Sequence, residues 1–373
     1  MNSLWKNDTY KLIELPKGRK SLKNKQVFKL KKDDEKLLKY KTWLVVKRFG
    51  QKQGINFDEI FSPAMKMCSI RVILGLTASM NLKLKQLDIK TAFLHGDLDY
   101  EIFMEQLEGF KVKGKENMIC RLKKSMYGLK QHHDNGTRNL TLSWWVGSTK
   151  EQLQIYVYMF EDSLMVNSSF SYYMLIVGQD VDMIRKLKSE LSKIFDMKDL
   201  GTTKHILGMK ILRDKKAGKL WLSQEIYIEW MLERFNMKYS KPVSTPFVGH
   251  IKLSKKSCPS TEKEKDKMSV ISYSLRIGNL MYVMVHTRLD ISHALRVMSG
   301  FLANPNKTHW EVVKWIFKYL RGTLKVCLSF RGTKPFLEGY TDSDMARDLD
   351  SRKSTFRYLF TFIGRVISWQ SKL

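Results

Sequence analysis

Two hydrophobic periods alternate along this chain, and that alternation constrains its fold more than any other feature. From about residue 20 to 65, basic and apolar residues alternate, as in "KQVFKLKK" and "TWLVVKRF", the pattern of twisted strands with polar outer faces. "CSIRVILGLTASMNL" then switches to helical spacing, with Ser69 as N-cap and a buried face through Ile70, Ile73 and Leu74. Asp88 follows on the next strand, after "LKLKQL". From Asp180, "DVDMIRKLKSELSKIFDM" carries Ile184, Leu187, Leu191 and Phe195 at helical spacing and opens with acids that suit a helix dipole. "HILGMKILRDKKAGKLWLSQEIYI" reads as a hairpin of two apolar strands around a Lys-Lys-Ala-Gly turn. The chain therefore carries both strands and helices.

Its second half opens with residues 241 to 269, rich in Pro, Ser and Lys, which read as an exposed linker. Helices resume with "LRIGNLMYVMVHTRLDISHALRVMSGFL" and "HWEVVKWIFKYLRGT", the latter stopping at Gly322 in a C-cap position. A final strand delivers Asp342 and Asp344, and a turn and more strand follow. No internal repeat is found.

With 373 residues, 43% of them apolar, the chain can bury one or two substantial cores. Charge narrows its partners. Against 66 Lys and Arg stand 37 Asp and Glu, a formal net charge of +29, and a field of that size favours a polyanion because each phosphate neutralised releases condensed counterions. A single Lys-rich stretch such as "KLKKDDEKLLKYK" reads as a solvated face; the excess over the whole chain does not.

Cys68, Cys120, Cys258 and Cys327 are far apart and form no CxxC pair, so neither a zinc ribbon nor a disulfide framework is indicated, and a reducing compartment is expected. His286 and His293 could share a helix face, where both read as structural histidines rather than metal ligands. No apolar run reaches the ~18 residues needed to span a bilayer, and the polar start "MNSLWKNDTYK" is not a signal peptide. A soluble intracellular protein is the expectation, cytoplasmic or nuclear, with no membrane partner.

Asp88 sits in "QLDIKTAFLHGDL", at the end of a short apolar strand, where a carboxylate usually has companions. The residues around it carry a resemblance. "YKTWLVVKRFGQKQGINFDEIFSPAMKMCSIRVILGLTASMNLKLKQLDIKTAFLHGDLDYEIFMEQLEGF", "ICRLKKSMYGLKQ", "KDLGTTKHILGMKI", "KLWLSQEIYI", "KPVSTP", "HWEVVKWIFKYLRGT" and "GYTDSDMARDLDSRKST" resemble, in order, the reverse transcriptase of copia-type retrotransposons. Residues 132 to 173 carry none of these motifs.

The resemblance implies an α+β chain with a right-hand fold of fingers, palm and thumb followed by an incomplete RNase H-like α/β domain. Residues 1–240 would be fingers and palm, with 132–173 divergent, 241–335 linker and helical thumb or connection, and 336–373 the truncated RNase H start. It implies RNA template, DNA primer and deoxynucleotides as partners and Mg²⁺ as cofactor, because phosphoryl transfer by two metal ions needs several hard oxygen ligands in one place. Asp88 matches the first such carboxylate. Phe93 matches the residue that packs under the incoming sugar, Tyr127 and Gly128 the nucleotide-pocket turn, and Leu207, Gly208 and Met209 the start of a strand running to Ile211 that grips the primer terminus. Asp342 matches the first RNase H ligand.

The companions of Asp88 are missing from their expected place. The family has adjacent aspartates in a Tyr-Val-Asp-Asp pattern followed by Met-Leu-Ile, whereas "SSFSYYMLIVGQD" puts Tyr172 and Tyr173 there. A phenol, with a pKa of about 10, is neutral at pH 7 and a poor ligand for a divalent cation. Glu161 and Asp162 in "YVYMFEDSLMV" are an alternative acid pair, read as a solvated turn. The stretch "HHDNGTRNLTLSWWVGSTKEQLQIYVYMF" also departs from the family, as a shifted reading frame or a mispredicted splice would produce. Trp43 stands where the family has Arg, and Arg48 where it has Gly. The chain stops before the helix that would bring the next RNase H carboxylate, and the incomplete sheet would leave an exposed edge. The expectation is a degenerate, catalytically defective reverse transcriptase domain, with a non-catalytic basic nucleic-acid-binding remnant as the alternative and a chain damaged between 132 and 173 as a third.

Overall fold

The computed structural model describes residues 4, 7–32, 38–57, 66–89, 97–131, 156–161, 172–248, 253–254, 258–331, 336–343, 354 and 356–372. They form two compact units, one of Met1–Met65 and Lys85–Gly201, the other of Lys66–Leu84 and Thr202–Leu373. Mixed α/β structure occurs in both, as the two hydrophobic periods require.

The first unit begins with β1 (Tyr10–Ile13), then β2 (Asn24–Lys32) and β3 (Leu38–Val46), an antiparallel ribbon in register from Asn24 opposite Val46 to Lys32 opposite Leu38. The alternating sequence of 20–65 thus folds as strands over Asn24–Lys32 and Leu38–Val46, whereas Arg48–Gly50 forms a 3-10 turn. β1 joins β5 (Asp97–Met104) and β6 (Ile119–Lys124) in the order β1-β6-β5. Leu22, Val46, Ile102, Met104, Cys120, Leu122, Met126 and Leu129 form a core there.

A four-stranded sheet has the order β7-β8-β4-β9, from β4 (Lys83–Ile89), β7 (Tyr156–Glu161), β8 (Tyr172–Gly178) and β9 (Met197–Thr202). Two helices need naming here: α1 (Met67–Ser79), which belongs to the other unit, and α2 (Val181–Ile194), which packs on this sheet. The Asp180 carboxylate caps α2, accepting from the backbone N–H of Asp182 at 2.7 Å and of Met183 at 3.3 Å. Its stripe of Ile184, Leu187 and Leu191, with Phe195 just beyond, meets Leu87, Ile89, Met174 and Ile176. Full burial of each such side chain contributes roughly 1.5–3 kcal/mol.

In the second unit α1 buries Ile70, Ile73 and Leu74, as its spacing requires, and also Arg71. Ser69 lies within this helix rather than at its cap; Lys66 takes that place, with no side-chain cap hydrogen bond. β10 (His205–Ile206), β11 (Met209–Asp214), β12 (Lys219–Ser223) and β13 (Leu328–Arg331) form one sheet in that order. The Lys-Lys-Ala-Gly turn joins β11 to β12, with Asp214 opposite Lys219. The second strand ends at Ser223, however, and the following residues form α3 (Glu225–Arg234), because Tyr227, Ile228, Met231 and Leu232 bury a helical stripe.

The stretch 241–269 is not wholly linker: it ends in α4 (Glu262–Ser269), whose Met268 is buried. Then come α5 (Tyr273–His286), α6 (Ser292–Ser299) and α7 (Lys307–Gly322). His286 and His293 therefore sit on different helices. Gly322 is the last helical residue, with Thr323 at the cap, and its lack of a side chain serves packing: a Cβ there would lie 3.1 Å from the Pro242 Cβ. The unit closes with β14 (Leu337–Ser343), β15 (Phe356–Phe362) and β16 (Arg365–Lys372), an antiparallel sheet in that order. Among the described residues the four cysteines are unbridged, and no helix is long and apolar enough to cross a membrane.

Candidate active site

Asp88 is the sixth residue of β4 and half-buried. Its neighbours Leu87 and Ile89 pack toward α2, as do Met174 and Ile176 of β8. Because side chains alternate across a strand, Asp88 lies on the opposite face, the face that also takes Gln86 of β4 and Tyr173 of β8. Strand β8 is hydrogen-bonded beside β4. Its first two residues are Tyr172 and Tyr173, which face Glu161 and Phe160 of β7 in the hairpin register. The fold thus sets the Tyr172-Tyr173 strand next to the Asp88 strand, at the place where the motif comparison sought two carboxylates. Phe93, Asp162 and Asp344 lie outside the described residues.

Tyr127 and Gly128 stand in a tight turn after β6. The Tyr127 carbonyl accepts from the Val46 N–H at 2.8 Å, and the Tyr127 ring packs against the α2 core. Gly128 has φ +91°, and a Cβ there would run into the Val46 carbonyl oxygen and come within 2.7 Å of Val45 Cγ1. Only glycine fits both the dihedral and the space. Beside this turn opens a cleft of about 380 Å³ lined by Lys25, Lys47, Arg48, Phe49 and Tyr127 among others. Sequence reasoning assigned the Tyr127-Gly128 wall and missed the opposite one; the adjoining Lys-Arg-Phe at 47–49, directly after the apolar "WLVV", was the available signal.

In the second unit, Leu207 and Gly208 are not strand but the two-residue turn between β10 and β11, with φ of +45° and +67°. Positive φ at both positions matches the twist of a tight hairpin. The Tyr282 hydroxyl donates to the Leu207 carbonyl at 2.5 Å, and Met209 is fully buried. Asp342, near the end of β14, faces Arg357 of β15 in register and pairs with its guanidinium at 3.2 Å. At 68% exposure of the Asp342 side chain, this pair contributes little to stability.

Residues 7–249 match the family model "Reverse transcriptase (RNA-dependent DNA polymerase)". The chain belongs to that family. The retrovirus-related Pol polyprotein from transposon TNT 1-94 of Nicotiana tabacum is 58% identical to this reverse transcriptase over 100% of the chain and 28% of its own length. The retrovirus-related Pol polyproteins from transposons RE1 and RE2 of Arabidopsis thaliana are 33% and 32% identical over 91% of the chain, again with only 23% of their own length covered. The chain therefore spans about a quarter of the length of these relatives. The copia-type resemblance of the motifs and the family match agree.

Reverse transcriptases as a family are metal-dependent, so the donor set around Asp88 can be judged against that need. Among the described residues, no three His, Cys, Asp or Glu side chains are grouped to hold a metal ion. Tyr173 offers the Asp88 face a phenol, which is neutral at pH 7. Among the described residues, this set brings together fewer carboxylate oxygens than a pair of hard divalent cations requires.

Proposed function

We propose that this chain is the reverse transcriptase domain of a copia-type Pol polyprotein, able to hold an RNA template and DNA primer but defective in nucleotide addition. One observation carries the reading: the strand bearing Tyr172 and Tyr173 lies directly beside the strand bearing Asp88. A site built for metal-assisted phosphoryl transfer would have carboxylates at both strands; here one strand brings an acid and the other two phenols. In this reading the β7-β8-β4-β9 sheet with α2 is the palm, the β2–β3 ribbon belongs to the fingers, and helices of the second unit form the thumb or connection. Tyr127 and Gly128 wall the nucleotide pocket, Phe93 packs under the incoming sugar, and the Leu207-Gly208-Met209 turn supports the primer end. Asp342 and the sheet β14-β15-β16 correspond to the opening of an RNase H-like domain.

The net charge of +29 supports binding to the duplex, since each phosphate contact adds to affinity and to its salt dependence. A competing reading, a polymerase-competent fragment, is favoured by one feature: Glu161 stands opposite Tyr172 in the β7–β8 register, so an acid does end the neighbouring strand.

Two assays on the full chain decide between them. A mobility shift with an RNA–DNA template-primer is expected to show binding that weakens steeply from about 50 to about 200 mM salt. Primer extension on the same substrate with Mg²⁺ is expected to yield no incorporation. Incorporation that vanishes in Asp88→Asn would overturn the defective reading and restore the competent one.

A further inference from the structure

In the second unit, helices α5 and α6 each turn one stripe toward the same space. On α5 the stripe is Met281, Met284 and Val285, and on α6 it is Ser292, Leu295, Arg296 and Ser299; spacings of three, four and seven keep each stripe on one helical face. Tyr358 of β15 and Trp369 and Ser371 of β16 close the other side, leaving a cavity of about 410 Å³, within the range of sites that take a small organic molecule. Arg71 fastens two of its walls. Its guanidinium donates to the carbonyls of Val285 and His286 at the end of α5 and of Ile367 on β16, and it stacks over Trp369 with its carbon 3.9 Å from the ring centroid. The cavity is thereby preformed, which spares a ligand the cost of ordering it.

The lining offers two kinds of surface. The thioethers of Met281 and Met284 and the rings of Tyr358 and Trp369 are soft and polarisable, and they suit a flat apolar group. Against them stand one cation, Arg296, and the hydroxyls of Ser292, Ser299 and Ser371, with no carboxylate among the lining residues. The Ser371 hydroxyl is buried without a hydrogen-bond partner, and a buried polar group left unsatisfied is costly until something supplies one.

We propose that this cavity binds a small amphipathic carboxylate, its flat apolar body lying among Met281, Met284, Tyr358 and Trp369 and its anion meeting Arg296 and the serine hydroxyls. Guanidinium and carboxylate make charge-assisted hydrogen bonds, about twice as strong as neutral ones. A lining with a cation and no acid selects an anion over a neutral relative of the same shape. The site is separate from the polymerase reading: neither the Asp88 strand nor the Tyr127–Gly128 turn takes part in it, so a chain defective in nucleotide addition keeps it.

The test uses the full chain with ¹³C-labelled methionine methyls, and 2-naphthoate as the probe. Titration is expected to shift, saturably, the two methyl signals that disappear in Met281→Leu and Met284→Leu. Arg296→Gln is expected to weaken binding about tenfold, the loss of a charge-assisted contact. 2-Naphthalenemethanol, which has the same body without the charge, is expected to bind the unaltered chain about tenfold more weakly than naphthoate does and to bind Arg296→Gln as well as it binds the unaltered chain. Leu295→Trp fills the cavity and is expected to abolish binding. Because a larger ring at a buried position can unfold the chain, Ser299→Phe fills the same space from a half-buried one, and an unchanged urea midpoint shows that the variant is folded. Shifts spread over the methionines without saturation, or naphthoate affinities within about twofold of the unaltered chain in both Arg296→Gln and folded Ser299→Phe, would overturn the site and leave only the diffuse attraction of an anion to a basic chain. Equal affinity of the unaltered chain for the alcohol would overturn the anionic class of ligand. No shift at about 5 mM probe, weaker than any useful affinity, would overturn the proposal outright.

Discussion

The carbonyl of Tyr127 accepts the N–H of Val46 at 2.8 Å, and the residue after it, Gly128, lies so close to the end of β3 that a methyl group cannot enter. One wall of the cleft is thereby fastened to the other by backbone alone. Gly128→Ala combines a left-handed φ of +91° with a clash against main chain that cannot yield. A loss of about 2–4 kcal/mol is expected, read as a lowered urea midpoint with an unchanged slope.

Introducing acids at the two tyrosines tests the proposed defect directly. Tyr172→Asp combined with Tyr173→Asp is expected to raise Mg²⁺-dependent primer extension from background to a measurable rate, by about a hundredfold or more, since each carboxylate that stabilises charge in the transition state is worth several kcal/mol. Adding Asp88→Asn should abolish the gain. A double variant that folds and binds template-primer yet stays inactive would show that the defect lies elsewhere, in the region 132–171.

Two buried histidines make the second unit sensitive to acid. Burial holds His286 and His309 neutral, with pKa values of about 4. His286 donates through Nδ1 to the Tyr282 carbonyl at 2.7 Å, and His309 Nδ1 accepts from the Asn306 N–H at 3.0 Å in a capping box. Unfolded, each would titrate near 6.5. Between about 6.5 and 4 the unfolded chain binds protons that the folded chain refuses, so stability is complete above that window and falls as pH drops through it. A loss on the order of 2 kcal/mol per histidine, roughly 4 kcal/mol for the pair, is expected between pH 7 and pH 5 in urea titrations. His309→Gln, which keeps an acceptor for the cap, should reduce that dependence by about half.

Arg71 commits its guanidinium to the interior of the second unit. It is 3% exposed, stacks over Trp369 with its guanidinium carbon 3.9 Å from the ring centroid, and donates to the carbonyls of Ile367 at 2.6 Å, His286 at 3.1 Å and Val285. Arg71→Met fills much of the space but leaves those carbonyls without their donor. A loss of roughly 3 kcal/mol is expected, with protease cleavage appearing first within residues 336–372. Retention of wild-type stability would show that water replaces the guanidinium.

What the sequence disclosed and what it hid divide by range. Asp88 on a strand, the α2 stripe through Leu191 and the turn between Asp214 and Lys219 depend on neighbours a few residues away, and periodicity finds such features. The burial of Arg71, by contrast, depends on partners from Val285 to Trp369, and nothing local marks it. Ser69 looked like a cap because a polar residue precedes an apolar run, yet the helix starts earlier, at Met67, where that run already packs. The stretch from Glu225 falls in a run that reads as the second strand of a hairpin, yet four side chains buried at helical spacing make it a helix. At the site, the motif comparison sets Tyr172 and Tyr173 at the two aspartate positions, and the strand they open runs beside the Asp88 strand. The cleft escaped notice because its two walls come from residues about 80 positions apart.

Helix α1 has a consequence for biosynthesis. Arg71 emerges from the ribosome 296 residues before Ile367, whose carbonyl it holds. Chains fold as they are made, so this helix has to remain without its final companions while most of the polypeptide is translated. During that interval its apolar stripe is a natural target for chaperones, and a premature stop upstream of Ile367 would release a product in which the part of the helix that packs on β16 is still uncovered.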